Sequence, residues 1–88
     1  MHEHSLMAGL LREVEGIARD NGSRRVVKLR VALGALTHLS PDHLREHFEE
    51  AARGTVADGA ALEVRVLNDI SGPRAQDIVL ESVEIEEP

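Results

Sequence analysis

The central stretch of the chain reads Val26-Val27-Lys28-Leu29-Arg30-Val31-Ala32-Leu33. Apolar and polar residues alternate along it, which assigns to one face Val27, Leu29, Val31 and Leu33. The other face carries Lys28, Arg30 and Ala32. A period of two is typical of a strand with one buried face, so the stretch predicts a half-buried strand that ends at Gly34. Its apolar face requires a second layer of structure to cover it.

An amphipathic helix is predicted before this strand, from Ser5 to Asn21. Its apolar residues recur at spacings of three and four and form one stripe: Met7, Leu10, Leu11, Val14, Ile17 and Ala18. Ser5 is predicted as the N-cap, and Asn21-Gly22 supplies the left-handed residue that commonly ends a helix. The residues before Ser5 are therefore expected to lie just outside the helix.

A second helix is predicted after the strand. Ser40, Pro41 and Asp42 provide a capping hydroxyl, a proline at the first helical position and an acid in the first turn. The helix is expected to stop near Arg53-Gly54. Its core-facing residues are predicted to be Leu44, Phe48 and Ala51.

A second strand follows a predicted turn at Asp58-Gly59. Its apolar residues alternate with polar ones, in the order Leu62, Glu63, Val64, Arg65 and Val66. Lys28 and Arg30 of the first strand are expected to pair with an acid on a neighbouring strand, the candidates being Glu63, Glu84 and Glu86.

The last strand is predicted from Ile78 to Glu86. Its apolar residues change side between Leu80 and Val83, so a bulge is predicted near Glu81-Ser82. The order of elements is then α-β-α-β-β. This order predicts an α/β (α+β) fold built as a two-layer sandwich, with the helices on one face of the sheet.

Composition limits the classes of protein that fit the sequence. With 88 residues, the chain is expected to form one small domain, 1–88. A formal net charge of −6 argues against nucleic acid as a partner, because phosphate binding needs a concentrated excess of Lys and Arg. No run of apolar residues predicts a membrane span and no secretory signal is evident, so a cytoplasmic location is expected.

The chemistry of catalysis is not evident in the sequence. The chain has no cysteine, which excludes disulfides, a zinc ribbon and thiol catalysis. Neither a nucleophile beside a base nor a phosphate-binding loop stands at a diagnostic spacing. No catalytic residues are therefore predicted, and the protein is not expected to be an enzyme.

The first four residues, Met1-His2-Glu3-His4, form a candidate metal site. An α-amine, the next amide nitrogens and an imidazole can surround one metal ion in a plane. Such nitrogen sets suit Ni(II) or Cu(II), whereas zinc more often takes a tetrahedral set that includes thiolates. The alternative is that histidines at a chain terminus are merely solvated.

Several segments, taken in order, resemble one known family. They are Met1-His2-Glu3 with Ser5-Leu6, Leu33-Gly34 with Leu36, the helix residues Pro41, Leu44 and Phe48, the segment Gly54-Thr55-Val56-Ala57-Asp58-Gly59-Ala60, Leu62-Glu63-Val64, and Glu81-Ser82-Val83-Glu84-Ile85-Glu86. Each segment is a weak signal alone, but their order and spacing are specific. The chain resembles the HypA/HybF family of hydrogenase nickel-incorporation proteins, which are nickel metallochaperones.

The resemblance implies a nickel-binding domain of two helices on a three-stranded mixed sheet. It implies that Ni(II) is held by the Met1 amine, the backbone amides of His2 and Glu3, and the His2 imidazole, with the Glu3 side chain beside them. The implied partners are a nickel-loading GTPase and the large subunit of a nickel enzyme, most directly a [NiFe]-hydrogenase under maturation. The protein itself is expected as a monomer or homodimer.

Two departures from the family pattern stand out. Family members carry a zinc ribbon with two cysteine pairs between the second and third strands, whereas here a loop of residues 67–77 joins Val66 to Ile78. No zinc is therefore expected. The second departure is His4, where the family more often has an apolar residue. His4 either adds a donor to the metal or points into solvent.

A second metal site is a further hypothesis. His43 and His47 stand four residues apart on the second predicted helix, a spacing that brings two imidazoles to one face. A full ligand shell would also need Glu46, Glu50 or His38 to converge. The alternative is that His47 lies at the boundary of the core with a hydrogen bond.

Two other functions remain open at this stage. The chain could be an interaction or adaptor module that works without metal and has kept the fold. It could also carry copper, which the same nitrogen donors bind more tightly than nickel.

Overall fold

The computed structural model describes residues 3–86, with side chains described from Leu6 onward. Two helices and three strands follow one another in the predicted order: α1 Glu3–Asp20, β1 Val26–Leu33, α2 Pro41–Ala52, β2 Ala61–Val66 and β3 Ile78–Ile85. None of the helices in this part of the chain combines the length and the apolar character that a membrane crossing requires.

The sheet has the strand order β2-β1-β3. β1 runs parallel to β2 and antiparallel to β3, so the sheet is mixed, as expected. The parallel pair follows from the helix between its strands, because a chain that returns through α2 enters β2 in the direction of β1. Both helices lie on the same side of the sheet, with α1 against β3 and α2 against β2. The two-layer prediction is confirmed.

The ends of α1 test two predictions with opposite outcomes. The helix ends in a Schellman motif, in which Gly22 has φ 66° and the Ser23 N–H donates to the Ala18 carbonyl oxygen at 2.9 Å. That end was predicted correctly. The predicted cap at Ser5 is wrong, because α1 begins at Glu3.

α2 begins as predicted. The Ser40 hydroxyl oxygen accepts a hydrogen bond from the His43 N–H at 3.1 Å, and Pro41 is the first helical residue. The prediction for Ala51 is wrong, since Ala51 is exposed and Ala52 is buried. The row that faces the core follows a spacing of four residues, and its members are Leu44, Phe48 and Ala52.

Strand β1 corrects the predicted face of Val27. Val26 is 0% exposed, whereas Val27 is 40% exposed. The pairing with β3 explains the difference: Val26 pairs with Ile85 and Lys28 with Glu84, so Val27 is an extra residue at a bulge. Beyond the bulge the predicted alternation resumes, and Leu29, Val31 and Leu33 are buried.

The predicted bulge in β3 is confirmed. Arg30 pairs with Ser82 and Val31 with Leu80, which leaves Glu81 as the extra residue. Because of this insertion, Leu80 and Val83 both pack against the core although they stand an odd number of residues apart.

The outer face of the sheet is held by ion pairs. Glu63 accepts from Arg30 at 3.0 Å and lies 3.0 Å from the Lys28 ammonium, which confirms one of the predicted pairings. Arg65 of β2 pairs with Glu81 of β3, so its side chain reaches across β1. Ala32, the β1 partner of Arg65, is only 2% exposed although it lies on this outer face.

Candidate metal centre

The N-terminal motif extends to the edge of the described structure. Met1 and His2 lie outside the described residues, as do the side chains of Glu3 and His4. The backbone of Glu3 and His4 forms the start of α1, so these two residues are not outside the helix as predicted. The predictions for Met1, His2 and the side chains of Glu3 and His4 therefore remain predictions.

The start of α1 suits a metal site built on backbone nitrogen. The first N–H groups of a helix have no acceptor within the helix, so the Glu3 amide nitrogen does not belong to the helical ladder. A metal ion that displaces its proton would break no helical hydrogen bond. The helix dipole disfavours a cation at this end, and deprotonated amides together with the Glu3 charge would offset that effect.

The body of α1 is buried against the rest of the fold. Met7 and Leu10 are each 4% exposed, and Val14 is fully buried. Met7 follows Glu3 by about one helical turn. α1 is thus packed against the core from its second turn onward.

The segment after β1 is packed against the loop of residues 67–77. The Gly34 N–H donates to the Asp77 carbonyl oxygen at 2.8 Å, and the Leu36 N–H donates to the Ala75 carbonyl oxygen at 2.6 Å. A Cβ at Gly34 would stand 2.4 Å from the carbonyl oxygens of Arg74 and Ala75. Only glycine fits at this close approach, so the loop closes directly on the end of β1.

The cleft beside the first turn of α1 brings together residues from three parts of the chain. Its volume is about 230 Å³, and it is lined by Leu6, Leu36, Thr37, His38 and Gln76. The sequence predicted His38 only as an additional ligand for the His43 and His47 pair. The structure instead places His38 on the same cleft as Leu6. Nothing in the sequence pattern indicates this proximity, because it depends on how α1 lies over the sheet.

The His43 and His47 pair is present but has few partners of the right kind. Their ring centroids are 4.9 Å apart, and the rings meet edge to face at 79°. Among the side chains from Leu6 to Glu86, no three His, Cys, Asp or Glu residues converge as a metal-holding group. The pair therefore supplies two donors, and the second metal site stays a prediction.

The charged side chains on the outer face of the sheet pair with one another. The ion pairs with Lys28 and Arg30 hold the pKa of Glu63 below its ordinary value. The hydrogen bonds from Arg65 likewise lower the pKa of Glu81. The basic side chains of this face are thus engaged by carboxylates, which is the opposite of the concentrated positive surface that binds phosphate.

A profile of the family described as "Hydrogenase/urease nickel incorporation, metallochaperone, hypA" matches residues 1–70. The chain is similar to the hydrogenase maturation factor HypA of Rhizobium leguminosarum bv. viciae, with 44% identity over 72 residues, which is 82% of this chain and 61% of the relative. It is also similar to HypA of Methylocella silvestris, with 40% identity over 67 residues, 76% of this chain and 59% of the relative. The matches thus span about three fifths of the length of these curated relatives.

Solved structures share the fold. The solution structure of the Ni metallochaperone HypA from Helicobacter pylori aligns with a TM-score of 0.79 and 16% identity, covering 100% of both chains. A second solution structure, of a HypA protein, aligns with a TM-score of 0.76 and 18% identity, covering 100% of this chain and 98% of that one. At these identities the likeness concerns the fold alone. It includes β3, which lies beyond the residues that the family profile matches.

Proposed function

Since this chain belongs to the HypA family of nickel-incorporation metallochaperones, we propose that it carries Ni(II) at its N-terminus and delivers it to a nickel enzyme. One observation supports this most directly: the family profile begins at residue 1 and therefore includes Met1-His2-Glu3. The family is one of metallochaperones, which confirms the prediction that the chain is not an enzyme.

The proposed donors are four nitrogens arranged in a plane around the ion. They are the Met1 amine, the amides of His2 and Glu3, and the His2 imidazole, with the Glu3 carboxylate nearby to offset the ion's charge. Amide nitrogen and imidazole are the ligand types that suit Ni(II) in tetragonal geometry. His4 is held as a candidate additional donor. Its place in α1 keeps it within one helical turn of Glu3.

Delivery follows from the position of these donors. A site at a chain terminus is open to an incoming ligand, so a partner can replace the donors one at a time and take the ion. We expect the recipients to be a nickel-loading GTPase and the large subunit of a [NiFe]-hydrogenase under maturation. The family description includes both hydrogenase and urease nickel incorporation. Zinc is not part of the proposal, because the chain supplies no thiolate.

The proposal is tested by Ni(II) titration of the native chain, of His2→Ala and of the double variant His43→Ala/His47→Ala. Intact mass spectrometry under native conditions gives the number of ions bound, and competition with a chelator gives the affinity. We expect one ion per native chain, loss of binding in His2→Ala, and retained binding in the double variant. The reverse pattern would move the site to α2. A parallel titration with Cu(II) tests the copper alternative: tight Cu(II) binding with little Ni(II) uptake would favour a copper carrier instead.

A further inference from the structure

The two edges of the sheet differ in how their backbone is covered. At the β2 edge, the Arg45 side chain of α2 donates a hydrogen bond to the Leu62 carbonyl oxygen at 3.3 Å. The other edge is β3, whose sole neighbour among the described strands is β1. In the part of the chain that the structure describes, no loop, helix or side chain forms a hydrogen bond with the backbone of β3. Alternate N–H and C=O groups of β3 therefore face away from the sheet and can pair with another strand.

The part of β3 that follows its bulge offers the most regular edge. Residues 82–85 lie beyond the extra residue and continue the pairing with β1. Val83 and Ile85 pack against the core but are only partly buried. Glu84 and Glu86 alternate with them and are exposed. Because neighbouring side chains of a strand point to opposite faces, an added strand would meet apolar side chains on one face and carboxylates on the other.

The charge along this edge decides which strand it can accept. Residues 78–86 contain three glutamates and neither lysine nor arginine. Glu84 stands opposite Lys28, but the Lys28 ammonium lies 3.0 Å from Glu63. Glu84 and Glu86 are thus in no ion pair with any described residue. Two copies joined through β3 would place these like charges together, which is destabilising, whereas a basic strand would neutralise them.

We propose that the free edge of β3 binds an extended basic segment of a partner protein by strand addition. The backbone of the segment pairs with residues 82–85. Its lysine or arginine side chains lie beside Glu84 and Glu86, and its apolar side chains lie beside Val83 and Ile85. In this mode of recognition the main-chain hydrogen bonds provide affinity and the alternate side chains provide specificity. The proposal concerns a docking surface and does not depend on where nickel binds.

The test uses a short synthetic peptide with blocked termini, in which lysine and valine alternate. A control peptide of the same composition has its lysines in one block, so it has the charge without the alternation. Binding to the full chain is followed by NMR titration and by amide hydrogen exchange. We expect the alternating peptide to bind and to slow the exchange of alternate amides in β3, with the amides of β2 unchanged. Absence of binding, equal binding of the control peptide, or protection in β2 would overturn the proposal.

Matched double variants separate recognition by β3 from a general effect of charge. Glu84→Gln/Glu86→Gln should weaken binding of the alternating peptide by about tenfold, since two cross-strand charge pairs are lost. Glu46→Gln/Glu49→Gln removes the same charge from exposed positions of α2 and should retain native affinity. Equal losses in the two variants would overturn the proposal. Protection of the β3 amides that rises with protein concentration, without peptide, would also overturn it, because a second copy would then occupy the edge.

Discussion

The outer face of the sheet and the N-terminal corner, defined as the first turn of α1 with residues 34–40, use polar groups in opposite ways. On the outer face, Lys28 and Arg30 pair with Glu63, and Arg65 pairs with Glu81 across β1. In the N-terminal corner the backbone is fixed by hydrogen bonds, while His38 is exposed. The charged face of this protein therefore serves strand pairing, whereas the N-terminal corner adjoins the start of α1, where the nickel site is proposed.

The largest expected difference between the two regions is in their response to pH: nickel affinity at the N-terminus should change, whereas the ion pairs of the outer face should not. If two amide protons leave when nickel binds, affinity falls by about a hundredfold for each unit that the pH drops, and protonation of the imidazole adds to this loss. We expect this loss between about pH 8 and about pH 7, where the carboxylates of the outer face stay ionised. Chelator competition at the two pH values measures it, and equal affinities would contradict nitrogen ligation by the backbone.

Gly34→Ala should disrupt the N-terminal corner without touching the outer face. The added Cβ would stand 2.4 Å from two backbone carbonyl oxygens, so the 67–77 loop must shift. We expect the free energy of unfolding to fall by about 3 kcal/mol, at the upper end of overpacking effects. Urea denaturation measures this loss.

The matched control for that variant is Gly16→Ala. A Cβ at Gly16 would make an ordinary 3.7 Å contact with the Arg19 guanidinium, and alanine is favoured over glycine in a helix by about 1 kcal/mol. Gly16→Ala should therefore stabilise the protein. Equal effects from the two substitutions would argue against the close approach of the loop to Gly34.

Val26→Ala and Val27→Ala test the bulge that separates buried from exposed residues at the start of β1. Val26→Ala should cost about 2 kcal/mol, because it removes two buried methyl groups and leaves a cavity. Val27→Ala should cost about 0.5 kcal/mol or less, as is usual for an exposed position. Urea denaturation measures both effects. A larger effect at Val27 would instead support the predicted alternation without a bulge, in which Val27 is buried.

Acid should weaken the ion pairs of the outer face. The resulting loss of stability should be smaller than that caused by Val26→Ala. Because the pKa of Glu63 is lowered in the folded protein, its ion pairs stabilise the fold fully above the ordinary glutamate pKa of about 4.3. That contribution is lost as the pH falls through the lower folded-state pKa. Glu63→Gln should remove this part of the acid dependence and leave the melting temperature near neutral pH only slightly reduced. Identical acid profiles for Glu63→Gln and the native chain would contradict this role.

The sequence predicted those irregularities of the fold that alter the order of apolar and polar residues along a strand. The bulge at Glu81 was predictable because Leu80 and Val83 stand on opposite parities, so only an insertion returns both to the core. The bulge at Val27 could not be predicted from the sequence. Positions 26 and 27 are both valine, so the pattern does not show which of the two is buried. The prediction that Ala51 rather than Ala52 is buried was wrong for the same reason, because the two adjacent residues are both alanine.

Features that depend on the packing of distant elements could not be predicted in this way. The pairing of Arg65 with Glu81 across β1 needs the strand order β2-β1-β3. The proximity of His38 to Leu6 requires the position of α1 over the sheet. The ligands of the proposed terminal site were recognisable because donors that are adjacent in sequence need no tertiary structure to come together.

The most direct test of the N-terminal nickel site is to compare the native chain with a version extended by two residues before Met1. The extension converts the α-amine of Met1 into an amide and moves the new amine away, while residues 3–86 keep their sequence. Isothermal titration with Ni(II) should give one tight site in the native chain and loss of that site in the extended chain. Equal stoichiometry and affinity in the two chains would contradict a nickel site at the N-terminus.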